Sequence, residues 1–149
     1  MNRRGMLWAA ISAIGAGLAT RASAATTDAT PARKLKVVYH LNDLDRVNFV
    51  LGNIQNHYDG VGGPANVTLA LVVHGPALRA FHLASANPDL TARLGHLSKA
   101  GLDMAACGNT MKAQNVTLPQ LQPGFVTADS GGVVRIAELQ AQGYLYLRP

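Results

Sequence analysis

Val67-Thr68-Leu69-Ala70-Leu71-Val72-Val73-His74-Gly75-Pro76 is the stretch from which the fold follows. Val67 to Val73 is almost continuously apolar. A strand that is wet on one face alternates apolar and polar residues, whereas an unbroken run belongs to a strand covered on both faces. The run stops at His74-Gly75, and Pro76 suits the first turn of a helix. A helix is expected from Pro76 through Leu83.

Working outward toward the N-terminus, Lys34 to Leu41 reads as a strand that becomes apolar at Val37-Val38. Asn42 and Asp43 are cap formers, and a helix should follow them. In it Val47, Val50, Leu51, Ile54 and Tyr58 fall on one face at helical spacing. Asp59 to Pro64 ends that helix in a glycine-rich loop.

Toward the C-terminus, Asn87-Pro88 opens a helix with Leu90, Leu94 and Leu97 on one side, Lys99 in its last turn and Gly101 just past its end. Leu102 to Ala106 is a third strand, ending at Cys107. Thr110 to Asn115 reads as a short helix, with Asn109 or Thr110 as its N-cap, and Pro119 to Pro123 as a turn. Phe125 to Thr127 is a fourth strand. Asp129 or Ser130 would cap a last helix that carries Val133, Ile136 and Leu139 and stops at Gly143. Tyr144 to Leu147 is a fifth strand. Apolar strands alternating with helices imply an α/β fold: a three-layer α/β/α sandwich on a parallel sheet, with right-handed crossovers.

The N-terminus carries a different pattern. A basic start, Met1 to Gly5, precedes an apolar run from Met6 to Thr20 and a small-x-small site, Ala22-Ser23-Ala24. This is the pattern of an export signal over residues 1–24, cleaved after Ala24. The apolar run is shorter than the roughly 20 residues that span a bilayer, so no stable membrane anchor is expected. Arg3-Arg4 followed by Gly5-Met6-Leu7 also fits a twin-arginine signal. Residues 25–33 read as a flexible leader, and residues 34–149 as the folded domain. The location expected is periplasmic. Arg3, Arg4 and Arg21 leave with the signal, and the net charge falls from +5 to +2. No Lys/Arg cluster remains that would serve a nucleic-acid partner.

In a parallel sheet every strand ends at the same edge, and ligands of open α/β sheets bind there. His40, His74 and Cys107 close the first three strands. If those strands are neighbours, at a spacing of about 4.8 Å, the three side chains share one cleft. A helix starting after Cys107 would offer free N–H groups from Gly108, Asn109 and Thr110 to the sulfur and favour the thiolate. His74 or His40 would then move the proton. Other readings stand beside this one. A single free cysteine is an ordinary packing residue, and the two histidines can simply close strands. Together His40, His74 and Cys107 also form a possible N/S ligand set for copper or zinc. No CxxC, HxxxH, P-loop, GxGxxG or GxSxG pattern is present.

These residues resemble the DsrE/DsrF-like family, in particular its exported single-domain members. The likeness is carried by Cys107-Gly108-Asn109-Thr110-Met111, by His74-Gly75-Pro76, and by the tail from Ser130-Gly131-Gly132-Val133-Val134 to Gly143-Tyr144-Leu145-Tyr146-Leu147-Arg148-Pro149. The resemblance implies a five-stranded sheet of order 4-3-2-1-5. It implies a homo-oligomer, trimer or hexamer, and no redox cofactor. It also implies sulfur held as a persulfide on Cys107 and exchanged with a donor or acceptor protein, a carrier more than a high-turnover enzyme. His40 is placed at the site by sheet geometry alone.

Overall fold

The computed structural model describes residues 33–149. The signal and leader readings on residues 1–32 lie outside them. Among the described residues no helix is long and apolar enough to cross a membrane.

Five strands alternate with four α-helices. They are β1 (Leu35–Leu41), α1 (Val47–Gly60), β2 (Val67–Val73), α2 (Pro88–Lys99), β3 (Asp103–Cys107), α3 (Gly108–Ala113), β4 (Phe125–Ala128), α4 (Gly132–Ala141) and β5 (Leu145–Leu147). All pairings are parallel, and the strand order is β4-β3-β2-β1-β5, as expected. β2 lies at the centre, and its apolar residues are buried on both faces. That is the physical meaning of its unbroken apolar run.

The two faces differ in depth. On one side α1 and α2 cover Val37, Tyr39, Leu69, Leu71 and Met104, in a core that includes Phe81 and Met111. The expected stripe of α1 is buried in full: Val47, Val50, Leu51, Ile54 and Tyr58. On the other side α4 covers Val38, Ala70, Val72 and Ala105 with Ile136 and Leu139. The sheet residues under α4 are mostly small, so that helix can sit close.

Three expectations need correction. The segment after β2 is a 3-10 helix, Gly75–Phe81, followed by a second short turn, Leu83–Ser85. The extended backbone of His82, which bridges Leu121, breaks any longer helix there. The last helix is not capped by Asp129 or Ser130. Its N-cap is Gly131 at φ 102°, and its inward stripe is Gly132, Ile136 and Leu139, while Val133 is 69% exposed. Spacing of four then three keeps those three residues on one side, whereas two steps of three from Val133 drift around the helix. The short helix after β3 starts at Gly108, with the extended residue Cys107 as N-cap and no side-chain cap.

α2 keeps the expected signals. The Asn87 side chain accepts hydrogen bonds from the Asp89 and Leu90 N–H groups at 2.9 and 3.4 Å. At the other end Gly101, at φ 93°, lets the N–H groups of Leu102 and Gly101 reach the Leu97 and Ser98 carbonyls. That is the Schellman closure. Asn87→Ala should therefore lower unfolding free energy by about 0.5–2 kcal/mol, with an unchanged slope in a urea titration.

Candidate functional site

The C-terminal edge of the sheet gathers the residues singled out in the sequence. β1 and β2 pair in register with His40 opposite Val72, and His74 follows β2 directly. Cys107 closes β3 opposite Ala128. Along each strand, residues two apart share a face. His40 therefore lies on the face of Val38, His74 on that of Val72 and Cys107 on that of Ala105, all of which α4 covers.

Gly132 ties the cysteine to the histidine. A Cβ on Gly132 would stand 3.2 Å from the Cys107 Cβ and 3.3 Å from the His74 Cβ. Both distances are closer than ordinary van der Waals contact, so only glycine lets the start of α4 come this near. The same contact bounds the Cys107–His74 separation: their Cβ atoms lie within the sum of those two distances. Gly132 was not anticipated as a site residue. The Gly131-Gly132 pair just after β4 was the signal that marked it.

Cys107 is 6% exposed. Burial pushes its thiol pKa up. Against this, the Thr110 hydroxyl and then the backbone N–H groups of Thr110, Gly132 and Asn109 favour the thiolate, and together they bring the pKa below the ordinary thiol value. These donors favour the charged form because each one pairs with it. Gly108 does not donate to the sulfur. It is packed instead, with room for a Cβ closed by the Ala128 carbonyl at 3.1 Å.

Thr110 is not the cap, because α3 already starts at Gly108 and places it in the first turn. Its hydroxyl accepts the Gly75 N–H at 2.9 Å, which leaves the hydroxyl hydrogen for the sulfur. Gln114 secures the same turn: its Nε2 donates to the Gly75 carbonyl at 2.9 Å, and its Oε1 meets His82 Nε2 at 2.9 Å.

His40 and His74 meet each other. Their Nε2 atoms are 2.5 Å apart, the ring centroids 4.7 Å apart and the ring planes 22° apart. That centroid separation is what two rings make up when the nitrogens lie on the line between their centres. The pair is therefore head-on, one Nε2–H donating to the other Nε2; it is not a face-to-face stack. His40 Nδ1 also meets the Tyr146 hydroxyl at 2.6 Å. Desolvation, then the His74 and Arg148 charges, push the His40 pKa down to about 4, against the opposing pull of Asp43. Desolvation and Arg148 likewise lower that of His74. Both imidazoles are thus neutral at neutral pH. Arg148 is itself held by Asn42 Oδ1 at 2.9 Å and Asp43 Oδ2 at 3.3 Å, so the tail after β5 clamps the end of β1. These roles of Tyr146 and Arg148 depend on β5 lying beside β1, which no local pattern states.

His40, His74 and Cys107 do not converge as metal ligands. Among the described residues no group of three His, Cys, Asp or Glu side chains is placed to hold a metal ion. The histidine nitrogens face each other, and the sulfur faces N–H and O–H donors.

A model of the DsrE/DsrF-like family matches residues 18–149. Among solved structures, the fold is similar to that of a protein of unknown function from Methanobacterium thermoautotrophicum. That chain is 25% identical with a TM-score of 0.67, and the match covers 77% of this chain and 99% of that one. A protein of unknown function from Bacteroides thetaiotaomicron is 14% identical with a TM-score of 0.58, over 76% of this chain and 94% of that one, a likeness of fold. No curated protein matches.

Two measurements check this geometry. In Thr110→Val the pH midpoint of Cys107 alkylation should move up, because a donor to the thiolate is gone, and Thr110→Ser should restore it. For His40 the folded pKa lies below the ordinary value of about 6.5, so between the two the unfolded chain binds more protons. Stability should therefore be full above pH ~6.5, fall as the pH drops toward about 4 and level off below it. Chemical unfolding as a function of pH should show this slope flattened in His40→Asn.

Proposed function

Because the chain belongs to the DsrE/DsrF-like family, which is associated with sulfur relay, we propose that it is a periplasmic sulfur carrier with Cys107 as the persulfide-bearing thiol. The observation that carries this reading is the set of donors on the Cys107 sulfur. The Thr110 hydroxyl and the backbone N–H groups of Thr110, Gly132 and Asn109, from α3 and from the start of α4, outweigh burial and lower its pKa. A cysteine that is only packed has no need of four donors. A thiolate does, and so does the persulfide anion that would replace it.

The chemistry is one displacement in each direction. The Cys107 thiolate attacks the outer sulfur of a sulfane-sulfur donor. A new S–S bond forms, the donor's S–S or S–sulfonate bond breaks, and the bond's electron pair leaves with the donor as a thiolate or as sulfite. A partner thiolate then attacks the outer sulfur of the Cys107 persulfide and returns the Cys107 thiolate. No redox cofactor enters this cycle. His74 and Cys107 both border the start of α4 at Gly132, and through His40 the His74 ring connects to Tyr146, 41% exposed. It is the group that would take the proton when the thiol ionises and return it to a leaving thiolate. The homo-oligomer, trimer or hexamer, and the donor and acceptor proteins belong to this same proposal.

Intact-mass analysis after incubation with a sulfane-sulfur donor tests it. The wild type should gain the mass of one sulfur atom, reversibly with a thiol reductant, and Cys107→Ser should gain nothing. An unchanged wild-type mass, or the same gain in Cys107→Ser, refutes it.

A further inference from the structure

We propose that the cleft between the Gly75–Phe81 segment and α3 holds the anionic group of a small sulfur donor, with Arg79 as the cation that selects it. The inference rests on Cys107 being the thiol that accepts sulfur, and it names the class of donor: a sulfane-sulfur compound carrying an oxyanion or a carboxylate, thiosulfate being the smallest.

The cleft measures about 380 Å³, and Arg79, Pro76, Asn109, Thr110 and Gln114 are among the residues lining it. Asn109 and Thr110, two of its lining residues, directly follow Cys107 in α3, so the cleft opens on the segment that carries the thiol, although Cys107 itself does not line it. No Asp or Glu lines it. Arg79 is exposed, and among the described residues its guanidinium is in no ion pair. Arg148, the other arginine at this edge of the sheet, is occupied by Asn42 and Asp43. The wall that carries Arg79 is fixed, because Gln114 bonds the Gly75 carbonyl and Thr110 accepts the Gly75 N–H. Guanidinium groups bind carboxylates and tetrahedral oxyanions such as phosphate through two parallel N–H bonds. An anion held there presents its sulfane sulfur toward Cys107. With thiosulfate the thiolate takes the outer sulfur, the S–S bond breaks and sulfite leaves with the electron pair. Arg79 then faces a leaving group that is still an anion.

Two alkylating agents of the same chemistry and different charge separate this from other effects. Iodoacetate is an anion and iodoacetamide is neutral, and both convert the Cys107 thiolate to a thioether with loss of iodide. Arg79→Gln in the full chain should slow iodoacetate by about three- to ten-fold, the scale of one unit charge in a partly wet site, and leave the iodoacetamide rate unchanged. Arg79→Lys should keep most of the preference, and added salt should erode it in the wild type. Thiosulfate should protect Cys107 from iodoacetamide in the wild type more than in Arg79→Gln. A change in thiol acidity would move both reagents together. Equal effects on both reagents, no effect on either, or a Cys107 that neither reagent reaches overturns the proposal. The carrier role stands or falls separately on the sulfur mass gain: a charge preference without sulfur uptake leaves the anion site and removes the carrier, and the reverse removes only Arg79.

Discussion

The close approach of α4 to the ends of β2 and β3 is the constraint on which the site depends. It requires a residue without a side chain at Gly132, because a Cβ there meets both Cys107 and His74. It requires small sheet residues beneath the helix, and Ala70 and Ala105 supply them. It also requires a sharp entry into the helix, which Gly131 gives at φ 102°. Once α4 is seated, the Gly132 N–H lowers the Cys107 pKa, and a second element joins α3 in stabilising negative charge there. Without that contact the sulfur would keep its burial and lose a donor, and burial alone favours the neutral thiol.

The balance at Cys107 is therefore between a desolvation cost and several hydrogen bonds. One hydrogen bond to a charged group contributes about 1.5–3 kcal/mol, so a small number of donors is enough to overturn the cost of burying the thiolate. The histidine pair shows the opposite outcome under similar burial. His40 and His74 have each other and Tyr146 as partners, with a cation nearby, and none of these favours a charged imidazole. The same edge of the sheet thus holds a sulfur that ionises easily and imidazoles that stay neutral. A neutral imidazole at the same sheet edge as the thiol is free to accept a proton, which a charged one is not.

Much of this was legible in the sequence because it was periodic or local. The unbroken run Val67–Val73 marked a central parallel strand, and the stripe from Val47 to Tyr58 marked a helix that buries one face. Placing His40, His74 and Cys107 at one edge followed from parallel topology alone. What escaped was set by contacts between distant segments. Thr110 looked like a cap, but α3 starts two residues earlier at Gly108, and the Thr110 hydroxyl accepts the Gly75 N–H from across the sheet edge. Val133 fitted an apolar stripe, but the inward position had already gone to Gly132 for steric reasons. Tyr146 and Arg148 looked like the ordinary end of a strand, and only the pairing of β5 with β1 brings them to His40 and Asp43.

Thr110 carries the last step of this reasoning. Its hydroxyl has a single hydrogen to give. Because the oxygen accepts the Gly75 N–H, that hydrogen is left to be aimed at the sulfur. The acidity of Cys107 is then linked to the geometry of the turn that follows His74 and carries Arg79. An anion drawing on that turn and a negative charge on the sulfur both act on one hydroxyl. Shifting the turn weakens a donor to the sulfur, and a thiolate that pulls harder on the hydroxyl hydrogen makes the oxygen a better acceptor for the Gly75 N–H. The turn, the thiol and the cleft beside them therefore behave as one unit, and changes at Gly75, Thr110 or Gln114 are felt at the sulfur although only Thr110 touches it.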